Sequence, residues 1–362
     1  MPVSAHRVRL PAAPPPAPAD VGDRLAAIWR EVLGLESVGL NENYFDLGGD
    51  SALAVVLFAR IEREFGRKLP LATLFDAATI AELAAVLQRQ PRDASPLVSL
   101  QAAGAKRPLF LVHDATGTVL GYRHLARRLG AERPIYGLQA AESTTGAAHA
   151  ATVEGLARRY LQALRAVQSA GPYYLAGYCG GGTIAYEMAQ QLTQSGEPVG
   201  LLALIDTFNW DRLPPRSGLD LWWFDAERLG FFVRNACRLR GVARRRLFAD
   251  KISALGARVL RIPTHGLRQA WNADTAALGA ALQRYEAKPY PGRVLDVRPG
   301  WQHRRLRGER AKWGGLALGG QQVLLLPVHA GGVLPEPLVQ HLAETLGSAL
   351  HQADAATAGA PQ

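Results

Sequence analysis

Only two cysteines, Cys179 and Cys237, occur in 362 residues. Two cysteines make no disulfide framework, so packing alone must hold the fold, as in a reducing cytosol. No apolar run approaches the ~20 residues that span a bilayer, which argues against a membrane segment. The N-terminus has prolines where a secretory signal has its apolar core, so no signal peptide is expected. Negative charge is also in short supply: 31 Asp and Glu face 41 Lys and Arg, for a formal charge of +10. That excess is not spread as a nucleic-acid surface would require. Residues 211–271 hold thirteen Lys/Arg against five Asp/Glu. No nucleic-acid-reading motif accompanies them, so no nucleic-acid partner is expected. No metal site is expected either.

What is present divides the chain. Its length suits two domains of roughly 100–200 residues each, and its 48% hydrophobic content is ordinary for globular protein. Residues 1–19 are Pro/Ala-rich and read as an extended linker. From 20 to 90 the pattern is helical and small, with Leu25, Ile28, Trp29, Val32 and Leu33 at helical spacing, then Leu53, Val56, Leu57 and Ile61. Between these runs lies Asn43-Tyr44-Phe45-Asp46-Leu47-Gly48-Gly49-Asp50-Ser51. Paired glycines permit a sharp turn, and Ser51 opens a helix whose amino end favours a phosphate. A plain N-cap role for Ser51 is the alternative.

This nonapeptide closely resembles the attachment motif of peptidyl carrier domains in nonribosomal peptide synthetases. The resemblance implies that Ser51 carries 4'-phosphopantetheine as a phosphodiester. It also implies a phosphopantetheinyl transferase and upstream synthetase modules as partners.

Residues 91–107 read as a polar connector. Over 108–352, strand-like runs alternate with helical ones, at Pro108–His113, Pro134–Leu138, Gly200–Ile205, Arg293–Val297 and Gln322–Val328. That alternation predicts a mostly parallel, doubly wound sheet. Residues 207–288 interrupt it with a helical insertion rich in aromatics (Trp210, Trp222, Trp223, Phe224, Phe231, Phe232, Trp271) and Arg. The insertion reads as a lid, although most of these aromatics can equally form its own small core. Residues 353–362, small and polar, read as a disordered tail.

The centre of this part is Tyr173–Tyr178, an apolar β run, followed by Cys179-Gly180-Gly181-Gly182 and a helix-forming run. Gly-x-Cys-x-Gly between strand and helix is the layout of a nucleophile elbow with cysteine where serine is usual. The helix amino end would favour thiolate. A Gly-rich turn around a small buried cysteine is the plainer alternative. Cys179, Asp206 and His329 follow the nucleophile–acid–base order of this layout. His329, after the last strand, can swing over the elbow from a loop. Asp206 ends a strand, and Asp296, one strand later, is the competing acid. An oxyanion needs two converging N–H groups, of which the elbow supplies Gly180.

These segments resemble the thioesterase domains that terminate nonribosomal peptide and polyketide assembly lines, within the α/β-hydrolase fold. The resemblance rests on Leu109–Gly117, Arg133–Ala140, Gly177–Gly181, Leu201–Asp206 and Leu324–His329. It implies Ala115 as the second oxyanion donor, although His113-Asp114-Ala115-Thr116-Gly117 departs from the family's usual His-Pro-x-Gly-Gly. The expected activity is transfer of a peptidyl thioester from Ser51 to Cys179, then release by intramolecular cyclisation. Cysteine in place of serine keeps the acyl group activated, which suits a strained ring. A β-lactam is the first expectation, a β-lactone or macrocycle the second, hydrolysis or editing the third. A non-catalytic acyl-carrying or docking module is the reading outside enzymes. The Arg-rich insertion, with Arg238, Arg240, Arg244, Arg245 and Arg246, is either a solvated helix face or a recognition surface for an anionic substrate.

Overall fold

Helix formation in the first seventy residues follows from where the apolar side chains recur. In the computed structural model, which describes residues 18–49, 51–67, 69, 71, 73–88, 95–114, 117–140, 152–209, 218–239, 276–306 and 313–358, four helices form the first unit. They are α1 (Pro18–Leu33), α2 (Ser51–Phe65), α3 (Thr73–Asp76) and α4 (Ile80–Gln88). Leu25 and Trp29 of α1 and Leu57 and Ile61 of α2, each pair one helical turn apart, are fully buried together. A unit this small must bury nearly every apolar side chain it has. Trp29 meets Tyr44 edge-on with ring centroids 5.4 Å apart, a geometry that adds roughly 0.5–1.5 kcal/mol beyond area burial. A reciprocal cap starts α4: the Glu82 N–H donates to Thr79 Oγ1, and the Thr79 N–H donates to Glu82 Oε2.

The second unit is built on a seven-stranded sheet. Its strands are β1 (Leu97–Gln101), β2 (Leu109–Val112), β3 (Ile135–Leu138), β4 (Tyr173–Tyr178), β5 (Val199–Ile205), β6 (Val294–Trp301) and β7 (Gln321–His329). The spatial order is β1-β3-β2-β4-β5-β6-β7. Every pairing is parallel except β1 with β3. Between the strands run a 3-10 turn (Leu120–Tyr122), α5 (Arg123–Leu129), α6 (Val153–Arg165), α7 (Gly180–Gln194), α8 (Gly218–Arg238), α9 (276–284) and, last, α10 (Val339–Ala358). The 3-10 turn, α5 and α10 cover one face and α6, α7 and α9 the other. Central strands covered on both faces read as unbroken apolar runs, and β2 is buried throughout.

Two sequence expectations are corrected. The connector expected over 91–107 contains β1, an edge strand that pairs only with β3. It buries Val98 alone, so it needs little of the apolar alternation that marks an inner strand. The tail expected from residue 353 continues α10 to Ala358. Asp354 accepts hydrogen bonds from Arg133 Nη2 at 2.6 Å and Tyr174 Oη at 3.0 Å, partners far upstream in sequence. Of the linker expected over 1–19, Pro18 and Ala19 already belong to α1, and residues 1–17 lie outside the described residues, as do Trp210 and Trp271. No described helix is long and apolar enough to cross a membrane.

Candidate active site

The strand β4 hands over to α7 at Cys179, whose backbone takes φ 54° and ψ −120°. Among the described residues only Cys179 and Asp206 (φ 45°) have a positive φ without being glycine. Such backbones cost on the order of 1–3 kcal/mol each and persist only where their surroundings over-determine them. The Cys179 N–H donates to Ile205 O at 2.9 Å, and the Asp206 N–H donates to Val297 O at 2.7 Å. Sheet hydrogen bonds therefore hold both strained residues at adjoining strand ends. The elbow also needs its glycines. A Cβ on Gly177 would stand 2.3 Å from Gly181 O, and one on Gly181 would stand 1.9 Å from His113 O.

The expected thiolate does not appear here. Burial, with the charges of Asp206 and Asp114 beside it, pushes the Cys179 thiol up to about 12. The Gly180 N–H faces the sulfur and pulls the other way, but more weakly. The helix amino end is outweighed because desolvation penalises any charge in this position. The sulfur is thus a neutral thiol that needs a base. Gly180, one expected oxyanion donor, is in place at the elbow. Ala115, the other, lies outside the described residues.

Between the two candidate acids the geometry is unequal. Asp296 is fully buried, and both its oxygens are taken. Arg298 Nε donates to Oδ1 at 2.9 Å, its Nη2 donates to Oδ2, and Gln321 Nε2 adds a bond to Oδ2 at 2.7 Å. Asp206 is bonded by the Gln302 side chain, but its Oδ1 is buried with no hydrogen-bond partner among the described residues. Burial first, and the nearby Asp296, raise Asp206 to about 7, against opposing pulls from Gln302 and Arg298.

His329 departs from expectation in its setting. It is the last residue of β7, in register with Trp301, where a loop position was expected. A strand end restrains the backbone, so only the side chain is left to move. The imidazole stacks on Trp301 with centroids 4.5 Å apart and planes at 13°, and Phe231 of α8 packs on it as well. Asn235, also on α8, accepts from the His329 N–H at 3.2 Å. His329 Nδ1 is buried without a partner among the described residues, so Nδ1 and Asp206 Oδ1, complementary donor and acceptor, are not bonded to each other. Burial, then Arg238 and Arg234, lower the His329 pKa, which leaves the ring neutral and able to accept a proton. Arg238 donates to Pro327 O at 2.8 Å and lies 4.1 Å over the Trp301 ring. Arg240, Arg244, Arg245 and Arg246 lie outside the described residues.

Sequence reasoning missed several supports. His113 Nδ1 is 2.6 Å from Asp114 O, which only an N–H can satisfy, so its Nε2 accepts from Tyr160 Oη at 2.7 Å. That histidine anchors a loop to α6. Tyr122 Oη accepts from the Tyr178 N–H at 2.8 Å and donates to Val112 O at 2.6 Å. The hydroxyl thus bridges β2 and β4 where they part around the elbow. No local pattern marks it, because both partners are strand residues that only the folded sheet brings to this turn. Tyr122→Phe leaves a buried N–H and a buried C=O unpaired, at a cost of about 1–3 kcal/mol. We expect a lower melting temperature and faster alkylation of Cys179 by iodoacetamide as the elbow loosens. Unchanged melting and alkylation would show that the bridge contributes nothing.

In the first unit, the attachment-like loop has the shape its glycines predict. Gly48 takes φ 91°, and a Cβ on Gly49 would lie 2.4 Å from the Tyr44 ring. The backbone is thereby drawn down against Tyr44 just before Ser51 opens α2. A helix amino end after a close-packed loop fits a phosphodiester. The Ser51 side chain lies outside the described residues.

Comparison with known proteins agrees with this division. The phosphopantetheine attachment site family matches residues 23–87, and the thioesterase domain family matches residues 107–309. Malpinin synthetase of Mortierella alpina is 41% identical over 187 residues, 51% of this chain and 2% of that protein. A dimodular nonribosomal peptide synthase of Bacillus subtilis (strain 168) is 38% identical over 198 residues, 54% of this chain and 8% of that protein. The chain therefore spans only a small part of the length of these relatives. Among solved structures, a holo four-domain nonribosomal peptide synthetase bound to AMP and glycine superposes with a TM-score of 0.58. That match is at 24% identity and covers 96% of this chain and 27% of the other.

Proposed function

The chain belongs to the thioesterase domain family, and from that membership we propose that it is a carrier–thioesterase didomain of a nonribosomal peptide synthetase that releases a peptide by cyclisation. The observation that carries the reading is the pair of strained residues, Cys179 and Asp206, held at adjoining strand ends, with His329 ending a strand two places further along the same sheet. Ser51 would hold the phosphopantetheine, with Gly48, Gly49 and the amino end of α2 around its phosphate. When bound, that group supplies an activated acyl thioester. Upstream synthetase modules and a phosphopantetheinyl transferase are its partners.

In the chemistry proposed, His329 takes the proton from Cys179 Sγ, which a thiol of this pKa cannot lose unaided. The Sγ–carbonyl bond forms and the incoming carbon–sulfur bond breaks, and the proton on His329 goes to the departing sulfur. The N–H groups of Gly180 and Ala115 hold the developing oxyanion. Asp206 steadies the imidazolium once its Oδ1 meets His329 Nδ1–H. Among the described residues neither atom has a partner, and in the proposed chemistry the two meet when substrate is engaged. The α8 helix, which touches His329 through Phe231 and Asn235, is the lid whose adjustment brings them together. A nucleophile within the bound peptide then gives its proton to His329 and attacks the carbonyl, and Cys179 leaves as the thiol. Exchange of one thioester for another preserves the activation that a strained ring requires, so the proposed product is a β-lactam.

Intact-protein mass spectrometry tests the reading. After loading by a broad-specificity phosphopantetheinyl transferase with a peptidyl-coenzyme A, the acyl mass should pass from Ser51 to Cys179. Ser51→Ala should block loading, and His329→Ala should leave the acyl group on Ser51. Loading of the Ser51→Ala variant, or no acyl-Cys179 in the parent, would overturn it.

A further inference from the structure

Four consecutive residues, Leu120 to Arg123, touch three parts of the molecule at once. Leu120 is buried within the core of the first unit, among side chains of its helices. Phe75 of α3 packs in return against the core of the sheet unit. Tyr122 reaches the elbow through its bond from the Tyr178 N–H. Gly121 lies against Leu334, in the segment that follows His329. The guanidinium of Arg123 stands 4.2 Å above the centre of the Phe45 ring.

Phe45 is not an arbitrary surface aromatic. It packs on Tyr44 and Phe75, its N–H is held by Asn43 Oδ1 at 2.9 Å, and the attachment loop Asp46–Ser51 begins at its carbonyl. Arg123 is held in turn. Its Nη2 donates to His124 Nε2 at 3.0 Å. Burial, then Arg123 itself, depress the His124 pKa to about 4, so the imidazole stays a neutral acceptor. His124 Nδ1 is 3.9 Å from Glu336, which also binds Arg128 at 2.7 Å. A continuous line of contacts thus runs from the segment after His329, through Glu336, His124 and Arg123, to the root of the attachment loop.

We infer that the Leu120–Arg123 turn is the docking surface for this chain's own carrier domain during acyl delivery, with Arg123 gripping Phe45 at the base of the attachment loop. The inference rests on the carrier–thioesterase reading above. An aromatic face with a partly desolvated cation over it gives a contact that holds direction yet breaks readily. A carrier that must also visit other partners needs such a contact. Tyr122 in the same turn ties the docked carrier to the backbone that presents Cys179.

The test compares two routes of acylation in the full chain, bearing Arg123→Ala or Arg123→Glu. One route is single-turnover transfer from the loaded Ser51 arm, and the other is acylation of Cys179 by the same acyl group on free pantetheine in solution. We expect the ratio of the first rate to the second to fall roughly tenfold in Arg123→Ala and further in Arg123→Glu. Hydrogen exchange in the peptide covering 43–49 should accelerate in both variants, while the peptide covering β4 keeps its protection. An unchanged ratio, or unchanged exchange at 43–49, would overturn the docking role. Loss of both routes in equal proportion would also overturn it, since Arg123 would then act on the thioesterase unit itself. If the parent chain is acylated by neither route, the carrier–thioesterase reading fails instead.

Discussion

Cys179→Ser is expected to lose the cyclic product while retaining part of its acylation. The elbow does not distinguish the two side chains sterically: Gly177, Gly181 and Gly182 set its shape, and the N–H of residue 179 still donates to Ile205. Acylation should therefore survive in part, with His329 deprotonating a hydroxyl instead of a thiol. The intermediate differs. An oxygen ester is a weaker acyl donor than a thioester, and an alkoxide leaves less readily than a thiolate. A penalty of about 3 kcal/mol on ring closure would slow that step by roughly a hundredfold, while water remains a competent acceptor. The serine variant should accumulate acyl-enzyme or release linear acid, measured by intact-protein mass and product chromatography. Formation of the same ring at a similar rate would show that the thioester is not why cysteine stands at this position. Macrocyclisation or plain hydrolysis would then be equally good accounts.

Asp206→Asn should separate activity from stability, with opposite signs. On activity, an amide cannot hold His329 in the required tautomer; the corresponding change in a Ser-His-Asp triad costs about 10⁴ in kcat. On stability, the carboxyl is raised in the folded chain from 3.8 to about 7, mainly by burial. The folded state then holds a proton that the unfolded state has lost between those two values. Stability falls as pH climbs through that window, and the penalty is full above pH 7. Asparagine removes the ionisation altogether. The variant should therefore be more stable than the parent at pH 8, by up to about 4 kcal/mol, and should show no gain at pH 4. Thermal melts at the two pH values read this directly. A loss of stability at pH 8 would mean that the carboxylate is already well satisfied in the folded chain. Full activity in Asp206→Asn, with an inactive Asp296→Asn, would move the acid one strand along. The occupied oxygens of Asp296 argue against that.

Much of this molecule could be read from its residues because the relevant constraints are local. The spacing of Leu25, Ile28 and Trp29 needs only a helix to be explained. Gly48-Gly49-Asp50-Ser51 and Gly177–Gly182 make turns whose steric demands fall on neighbours in sequence. Strand β1 escaped notice because an edge strand with one buried residue carries almost no alternation. The last turns of α10 escaped because their anchor, Asp354, is held by Arg133 and Tyr174, which lie nowhere near it in sequence.

The division between sequence and structure is sharpest at the candidate site. Residue order by itself determined that a cysteine would stand at a strand–helix turn, that an aspartate would end the next strand, and that a histidine would come after the last strand-like run, though not that the strand would extend to include it. Backbone sterics and strand–helix alternation act over a few residues, and they suffice for that much. Only the tertiary structure decided the protonation and pairing of those groups. The thiol is neutral because burial in the surrounding core, joined by two carboxylates brought close from elsewhere in the sequence, outweighs the helix end. Asp296 is engaged because Arg298, two residues on along the same strand, and Gln321 of the neighbouring strand both reach it. His329 is held between Trp301 and Phe231, brought from another strand and from the insertion. Desolvation and charge–charge interaction depend on what surrounds a group in space, and that is fixed by packing between segments the sequence leaves far apart.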